Sequence, residues 1–283
     1  MQSNEVAIVG PYSRHNFGDD LIGAVLAKHL ESGCGLRSSI PGMSLDNAGW
    51  LNCEFSDSVL KSVLSAKAIV VGGGGILGDS GRAPDTAYLW RCVKAATLGK
   101  MLQKPVFVTG VGAGPLRLEM SQRLCRVLCK LAGRVGVRDQ ESFDFLLNTI
   151  RVPSKKVFVG ADVALLWPRL LPVQGVSNGM VGVQCDARGF ASDGAARNVA
   201  YLYQSLGEWC SARHTESILV SNGKNDTSLY KHLHRLVPSL RYSKLSDFLP
   251  HLAGLKSIVT THLHLSIAAY AARVPCFSIY VRG

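Results

Sequence analysis

No run of 18 consecutive apolar residues occurs in this chain, so nothing in it reads as a membrane-spanning helix. Its first residues, Met1-Gln-Ser-Asn-Glu5, lack a charged-then-apolar leader and pass straight into a predicted strand. The expectation is a soluble, cytoplasmic protein that touches the inner face of a membrane only peripherally. There is no C-x-x-C pair either. The eight cysteines (34, 53, 92, 125, 129, 185, 210 and 276) are scattered, which suits reduced thiols in a cytosolic compartment. Cys125 and Cys129 are four apart on a predicted helix, but no histidine or second pair lies near enough in sequence to complete a metal site. Carboxylates are scarce: 20 acidic against 31 basic residues leave a formal charge of +11. Such an excess attracts anions, whether phosphate-bearing substrates, nucleic acid or an acidic lipid surface. Aromatic-basic interleaving of the nucleic-acid-binding kind is missing, so no nucleic-acid partner is expected. The glycine run Gly72–Gly75 is not followed by Gly-Lys-Ser/Thr and does not keep the G-x-G-x-x-G spacing, which argues against a P-loop or a dinucleotide fingerprint.

What is present is ordinary globular material, 47% hydrophobic and 18% charged. A chain of 283 residues exceeds one typical domain, and its strand and helix signals alternate twice. The first series has strands at Val6–Val9, one within the irregular stretch Cys34–Asn52, Ala68–Val71, Val106–Gly110, near Gly136, and Lys156–Val159. Helices are predicted over Leu21–Leu30, Thr86–Leu102, Leu116–Ala132, with Pro115 suited to its first turn, and Ser142–Leu147. The stretch Trp167–Gly179 holds two prolines and two glycines with little periodicity and reads as the interdomain connection. Strands then recur at Met180–Cys185, Ile218–Val220, Leu240–Tyr242 and Ser257–Thr260, with helices at Ala195–Ala212, Thr227–Val237 and Ser246–Gly254. The predicted fold is α/β, with two Rossmann-like domains over residues 1–168 and 180–283, a linker at 169–179, and the active cleft between the domains.

Candidate site residues fall at the carboxyl ends of predicted strands, where such sheets bind ligands. His262 and His264 sit where a strand gives way to a helix, a place that favours an anion. A capping or half-buried role for His262 stands beside a functional one. Asp19 and Asp20 precede a helical pattern and suit helix caps or substrate contacts. Arg138 lies at a strand end, able to meet a carboxylate or phosphate bidentately, while Asp139 caps the next helix. Arg123, Arg126, Lys130 and Arg134 repeat at three- and four-residue steps; they make a solvated face or a contact for anionic lipid or a polyanionic acceptor.

Taken together these stretches resemble the polysaccharide pyruvyl transferase family. Asn16-Phe-Gly-Asp-Asp20 is similar to its N-x-G-D opening, Gly72–Leu77 to its glycine-rich G-G-G-x-L/F, and Gly110-Val-Gly-Ala-Gly-Pro115 to its G-x-G-x-G-P. Val137-Arg-Asp-Gln-Glu-Ser142 is similar to V-R-D-x-x-S, and Thr260-Thr-His-Leu-His264 to S-x-R-L-H, with His262 where the family has arginine. Asp162-Val-Ala lacks the usual proline, and Arg282 stands in for a lysine after the last tyrosine.

The resemblance implies a GT-B-like fold and transfer of pyruvate from phosphoenolpyruvate onto two hydroxyls of one sugar. The product is a cyclic ketal on a polysaccharide or its lipid-linked precursor, with no cofactor. It implies Arg138 and His264 as the catalytic, donor-binding pair. The further substrate contacts expected are Asn16, Asp19, Asp20, Gly73, Gly74, Gly112, Gly114, His262 and Arg282, with Asp162 a possible base. The alternatives are a GT-B glycosyltransferase using a nucleotide sugar, whose phosphates would seek the same groups, and a metal-dependent hydrolase suggested by His262-Leu-His264.

Overall fold

A computed structural model describes residues 4–12, 15–79, 81, 86–171, 173–185, 195–223 and 238–279, with only the backbone at 195–200 and 202. The fold is α/β, with two sheets of parallel strands in two compact units. One unit is Met1–Arg14 with Asp19–Val163, the other His15–Gly18 with Ala164–Gly283.

The first unit contains β1 (Glu5–Val9), β2 (Arg37–Ser39), β3 (Ala68–Gly72), β4 (Val106–Val111), β5 (Arg134–Val137) and β6 (Val157–Val159). They lie in the order β2-β1-β3-β4-β5-β6. Apolar runs such as Val6–Val9 and Ile69–Val71 are buried throughout, as a sheet covered by helices requires. The core joins Val71, Val108 and Val135 to Leu89, Cys92, Leu124 and Leu128 of the helices Thr86–Met101 and Glu119–Leu131.

Three expectations are corrected in this unit. The stretch Cys34–Asn52 is not mainly irregular, since beside β2 it holds the short helix Leu45–Leu51; a second short helix, Val59–Ser65, follows it, and the hydroxyls of Ser44 and Ser58 cap the two. Seven residues are too few to display a helical period. The helix after Pro115 starts at Glu119 rather than Leu116, and the Gly114–Pro115 peptide bond is cis. The Asp79 carboxylate accepts the backbone N–H groups of Arg117 and Leu118 ahead of the helix, at 2.9 and 3.3 Å. Lys156 closes a 3-10 turn before β6, and its Nζ donates to the carbonyls of Lys130 and Ala132.

The second unit contains β7 (Val181–Gln184), β8 (Ser217–Ser221), β9 (Ser239–Arg241), β10 (Ser257–Thr260) and β11 (Cys276–Ser278), in the order β11-β10-β7-β8-β9. Among its helices are Ala195–Ser211, Leu245–Ala253 and Leu263–Ala271. The helix expected at Thr227–Val237 lies outside the described residues. The run 167–179 is more than a connection. Trp167 opens the short helix Trp167–Leu170, is buried, and donates its Nε1–H to the Ala268 carbonyl at 3.0 Å. Farther along, Val176 and Asn178 donate backbone N–H bonds to Pro250 and Gly254. Phe17 is also buried in this unit, its ring centroid 5.5 Å from Tyr242 and 4.8 Å from Phe248.

In each sheet the strand order reverses once, between β1 and β3 in the first and between β7 and β10 in the second. A crevice opens at such a point outside the carboxyl ends of the strands, because the connections on either side leave in opposite directions.

Candidate functional site

In the first unit the reversal point is built from glycine. Gly74, just past β3, holds φ at +65°, and a side chain there would meet Asp19 Oδ1 at 2.9 Å. The loop after β4 is tied onto it. Gly112 N–H donates to Gly74 O at 2.9 Å, Gly114 N–H donates to Leu77 O at 2.8 Å, and Leu77 pairs with Ala113 as a parallel bridge. The two glycine motifs therefore continue the β3–β4 pairing beyond the strands. Gly73 lies against Ile22, and Gly114 against the Phe145 ring. Tyr12, fully buried, donates its hydroxyl to Gly72 O at 2.9 Å; burial, then the carboxylate of Asp19, pushes its phenol well above the usual range.

Arg138 leaves the end of β5 with its backbone N–H on Val111 O at 3.0 Å. Its guanidinium lies flat against Gly112, where a methyl group would sit 2.8 Å from Nη2 and 2.9 Å from Cζ. Nη1 bonds Asp162 Oδ2 at 3.2 Å, and Nε lies 3.5 Å from Asp139 Oδ2. With the Arg138 side chain 18% exposed and that of Asp162 only 7%, the pair is largely withdrawn from solvent. The carboxylates fix the guanidinium plane, and a fixed plane of N–H donors suits a carboxylate or phosphate. Asp139 caps the helix Gln140–Asn148 as expected, accepting from Ser142 N at 2.7 Å. Burial raises its carboxyl, but the Ser142 hydroxyl and N–H and the Arg138 guanidinium outweigh this and hold it below its ordinary value. Ser142 Oγ in turn accepts the Ala113 N–H at 2.8 Å, so the V-R-D-x-x-S stretch braces the second glycine loop.

In the second unit β10 ends at Thr260, whose hydroxyl donates to Gln184 Oε1 at 2.6 Å and accepts the His262 N–H at 2.9 Å. Thr261 N–H reaches the same Gln184 oxygen at 3.2 Å. This buried chain of bonds across the reversal point sets where the helix Leu263–Ala271 begins. His262 occupies the N-cap position but makes no side-chain cap bond, so the capping role is corrected. The two imidazole rings lie 6.0 Å apart between centroids. His264 lies against Gly18, where a methyl group would come 2.5 Å from its Cγ.

The Asn16–Asp20 stretch divides between the units. Asn16 bridges Gly223, and its Oδ1 accepts the Gly18 N–H at 2.9 Å, so Asn16 does the capping first assigned to the aspartates. Asp19 and Asp20 lie inside the first turn of the helix Phe17–Cys34. Asp20 is buried and accepts from Asn47 Nδ2 at 3.4 Å. Arg282 lies outside the described residues.

Two positioning residues escaped sequence reasoning, Gln184 and Asp79. Gln184 announces itself only as a polar residue closing an apolar strand. Asp79 gathers N–H groups from Gly81, Arg117 and Leu118. Although burial raises its carboxyl, these backbone bonds bring it below the ordinary value. Burial pushes the Cys53 thiol up to about 11 and that of Cys92 up to about 12, so neither of these two is a thiolate near neutral pH. Among the described residues no three His, Cys, Asp or Glu side chains gather as metal ligands.

The fold is shared with proteins of low sequence identity. A UDP-GlcNAc 2-epimerase from Methanocaldococcus jannaschii superimposes with a TM-score of 0.63 at 14% identity, covering 96% of this chain and 82% of that one. The putative UDP-N-acetylglucosamine 2-epimerase of Listeria monocytogenes gives 0.65 at 13%, covering 96% and 77%. The wall teichoic acid polymerase TagF gives 0.53 at 10%, covering 98% and 69%. These likenesses place the two Rossmann-like domains in the GT-B-like class. No curated protein sequence matches the chain. A family model described as polysaccharide pyruvyl transferase matches residues 16–282, nearly the whole length. That span takes in both glycine loops, Arg138 and His264: the chain belongs to the polysaccharide pyruvyl transferase family.

Proposed function

We propose that the protein transfers pyruvate from phosphoenolpyruvate onto two hydroxyls of one sugar in a polysaccharide or its lipid-linked precursor. The observation that carries this reading is the pair of held side chains within the family motifs, Arg138 against Gly112 and His264 against Gly18. Phosphoenolpyruvate bears a carboxylate and a phosphate, so it calls for a guanidinium of fixed orientation and for charge-assisted hydrogen bonds, about 1.5–3 kcal/mol each.

The chemistry sets further demands. One sugar hydroxyl adds to the enol carbon while the methylene carbon gains a proton and becomes a methyl group. The bond from the enol carbon to the phosphate oxygen breaks, phosphate leaves, and the second hydroxyl closes the ketal. Of the two hydroxyl protons, one balances the new methyl group and the other leaves with phosphate. A group that gives and takes protons near neutral pH is needed, and imidazole is the side chain suited to it. His264 takes that role in this reading. Arg138 orients the donor, and Asp162 orients Arg138. Asp19, beside Gly74, is the acceptor-side carboxylate.

The test is binding. Phosphoenolpyruvate at 100 times its dissociation constant should stabilise the protein by about 2.7 kcal/mol and raise its melting temperature. Arg138→Ala and His264→Ala should each weaken that shift and abolish turnover while circular dichroism stays unchanged. A shift given by nucleotide sugars and not by phosphoenolpyruvate would favour a glycosyltransferase. A variant that kept most of the activity would remove its residue from the site.

A further inference from the structure

An apolar groove of about 400 Å3 runs between the helices Val59–Ser65 and Thr86–Met101 of the first unit, lined by Val59, Leu60, Trp90, Arg91, Lys94 and Leu98 among others. Leu60 and Leu64, one turn apart on the first helix, are 58% and 54% exposed, and Trp90 on the second is 41% exposed. Neither helix needs these groups outside to fold, because the buried faces are supplied by Val63 and by Leu89, Cys92, Val93 and Ala96. Singly exposed apolar side chains are unremarkable, but here Leu60 and Trp90 line one groove with Arg91 and Lys94, and Leu64 follows one turn beyond Leu60.

The charge on these helices is of one sign. They carry Lys61, Arg91, Lys94 and Lys100 and no aspartate or glutamate; Asp57 and Asp85 precede them in sequence. Arg91 is held in the wall by an Nη2 bond to Pro41 O at 2.9 Å, while its buried Nε has no hydrogen-bond partner among the described residues. A buried N–H donor left in an apolar wall is costly unless an acceptor arrives. Leucines protruding beside the groove, an amphipathic indole at its rim and a cationic fringe match the layers of a bilayer surface, with acyl chains, carbonyl level and anionic headgroups in that order.

The Arg123–Arg134 stripe is a weaker claimant. Arg123 pairs with Glu119, Arg126 Nε donates to Ile150 O, and Arg134 belongs to β5.

We infer that this groove docks the protein onto an anionic lipid bilayer, with Leu60, Leu64 and Trp90 entering the interface and Lys61, Arg91 and Lys94 meeting headgroups. The inference does not rest on the identity of the donor, since the groove includes neither Arg138 nor His264.

The full chain, sedimented with vesicles of phosphatidylcholine containing phosphatidylglycerol, should bind at least tenfold more tightly than with phosphatidylcholine alone, and added salt should weaken it. Leu60→Glu/Leu64→Glu should abolish binding, and Lys94→Gln should weaken it about fivefold. Brominated acyl chains should quench wild-type fluorescence, and should quench a Trp90→Phe variant less. The leucine pair is exposed, so its melting temperature should hold; if it falls, the lysine and tryptophan variants still decide. No binding to anionic vesicles, binding untouched by these changes, or a self-association that the leucine changes abolish would each overturn the proposal.

Discussion

One methyl group is a fair probe of how Arg138 and His264 are each held within their own unit. On Gly112 it would stand 2.8 Å from Arg138 Nη2, and on Gly18 it would press into the His264 ring. Gly18 lies in a helix, where alanine is otherwise the better former by about 1 kcal/mol, so Gly18→Ala should not cost the helix itself. Both Gly112→Ala and Gly18→Ala should lower kcat/KM at least tenfold, about 1.4 kcal/mol, with little change in circular dichroism. Steady-state kinetics on the two variants checks this; unchanged kinetics would mean that neither side chain needs its present position. At this scale the sequence was informative where a residue type has few uses. An arginine at a strand end and a histidine at a helix start are legible one by one. Gln184 and Asp79 were not, since each matters only through partners far away in the chain, Thr260 for one and Arg117 for the other. The aspartates of the first turn were over-read as caps because Asn16, one residue before the helix, already supplies the acceptor.

The elements that proved hardest to read are those set by a single side chain. The helix after the cis proline begins at Glu119, and the Asp79 carboxylate that holds the N–H groups of Arg117 and Leu118 just before it leaves no mark in the apolar period. The helices Leu45–Leu51 and Val59–Ser65 are likewise products of serine caps and tertiary packing. Long buried strands and the helix Thr86–Met101 were legible within a residue or two, since their apolar periods are strong. Asp79 also gives the loops a pH dependence of definite sign. Its carboxyl and that of Asp139 are held below their ordinary values, so they favour the folded state above the unfolded carboxylate value of about 3.9. That contribution disappears as pH falls through their lower native values. Asp79→Asn should destabilise the protein by about 0.5–1.5 kcal/mol at neutral pH, since its bonds are open to solvent and asparagine keeps one acceptor oxygen. Melting curves from pH 6 to pH 3 should then converge for wild type and variant; curves that stay parallel would show that Asp79 carries no pH-linked stability.

For the whole chain, the alternation of strands and helices was enough to announce two α/β units, and the sheet orders then identify where each reverses. The membership of His15–Gly18 in the second unit was not legible, because nothing local distinguishes Phe17 from any other residue at a helix start; its partners Tyr242 and Phe248 come from the far end of the sequence. The same holds for Trp167, whose prolines and glycines downstream suggested a connection while its indole binds Ala268. The measurement that bears most directly on the account is a product analysis. The protein is incubated with phosphoenolpyruvate and a panel of glycans, the glycans are weighed by mass spectrometry, and released phosphate is assayed in parallel. A pyruvate ketal on one glycan, matched mole for mole by phosphate and dependent on that glycan, is the predicted result. Untouched phosphoenolpyruvate and unmodified glycans across the panel would contradict it.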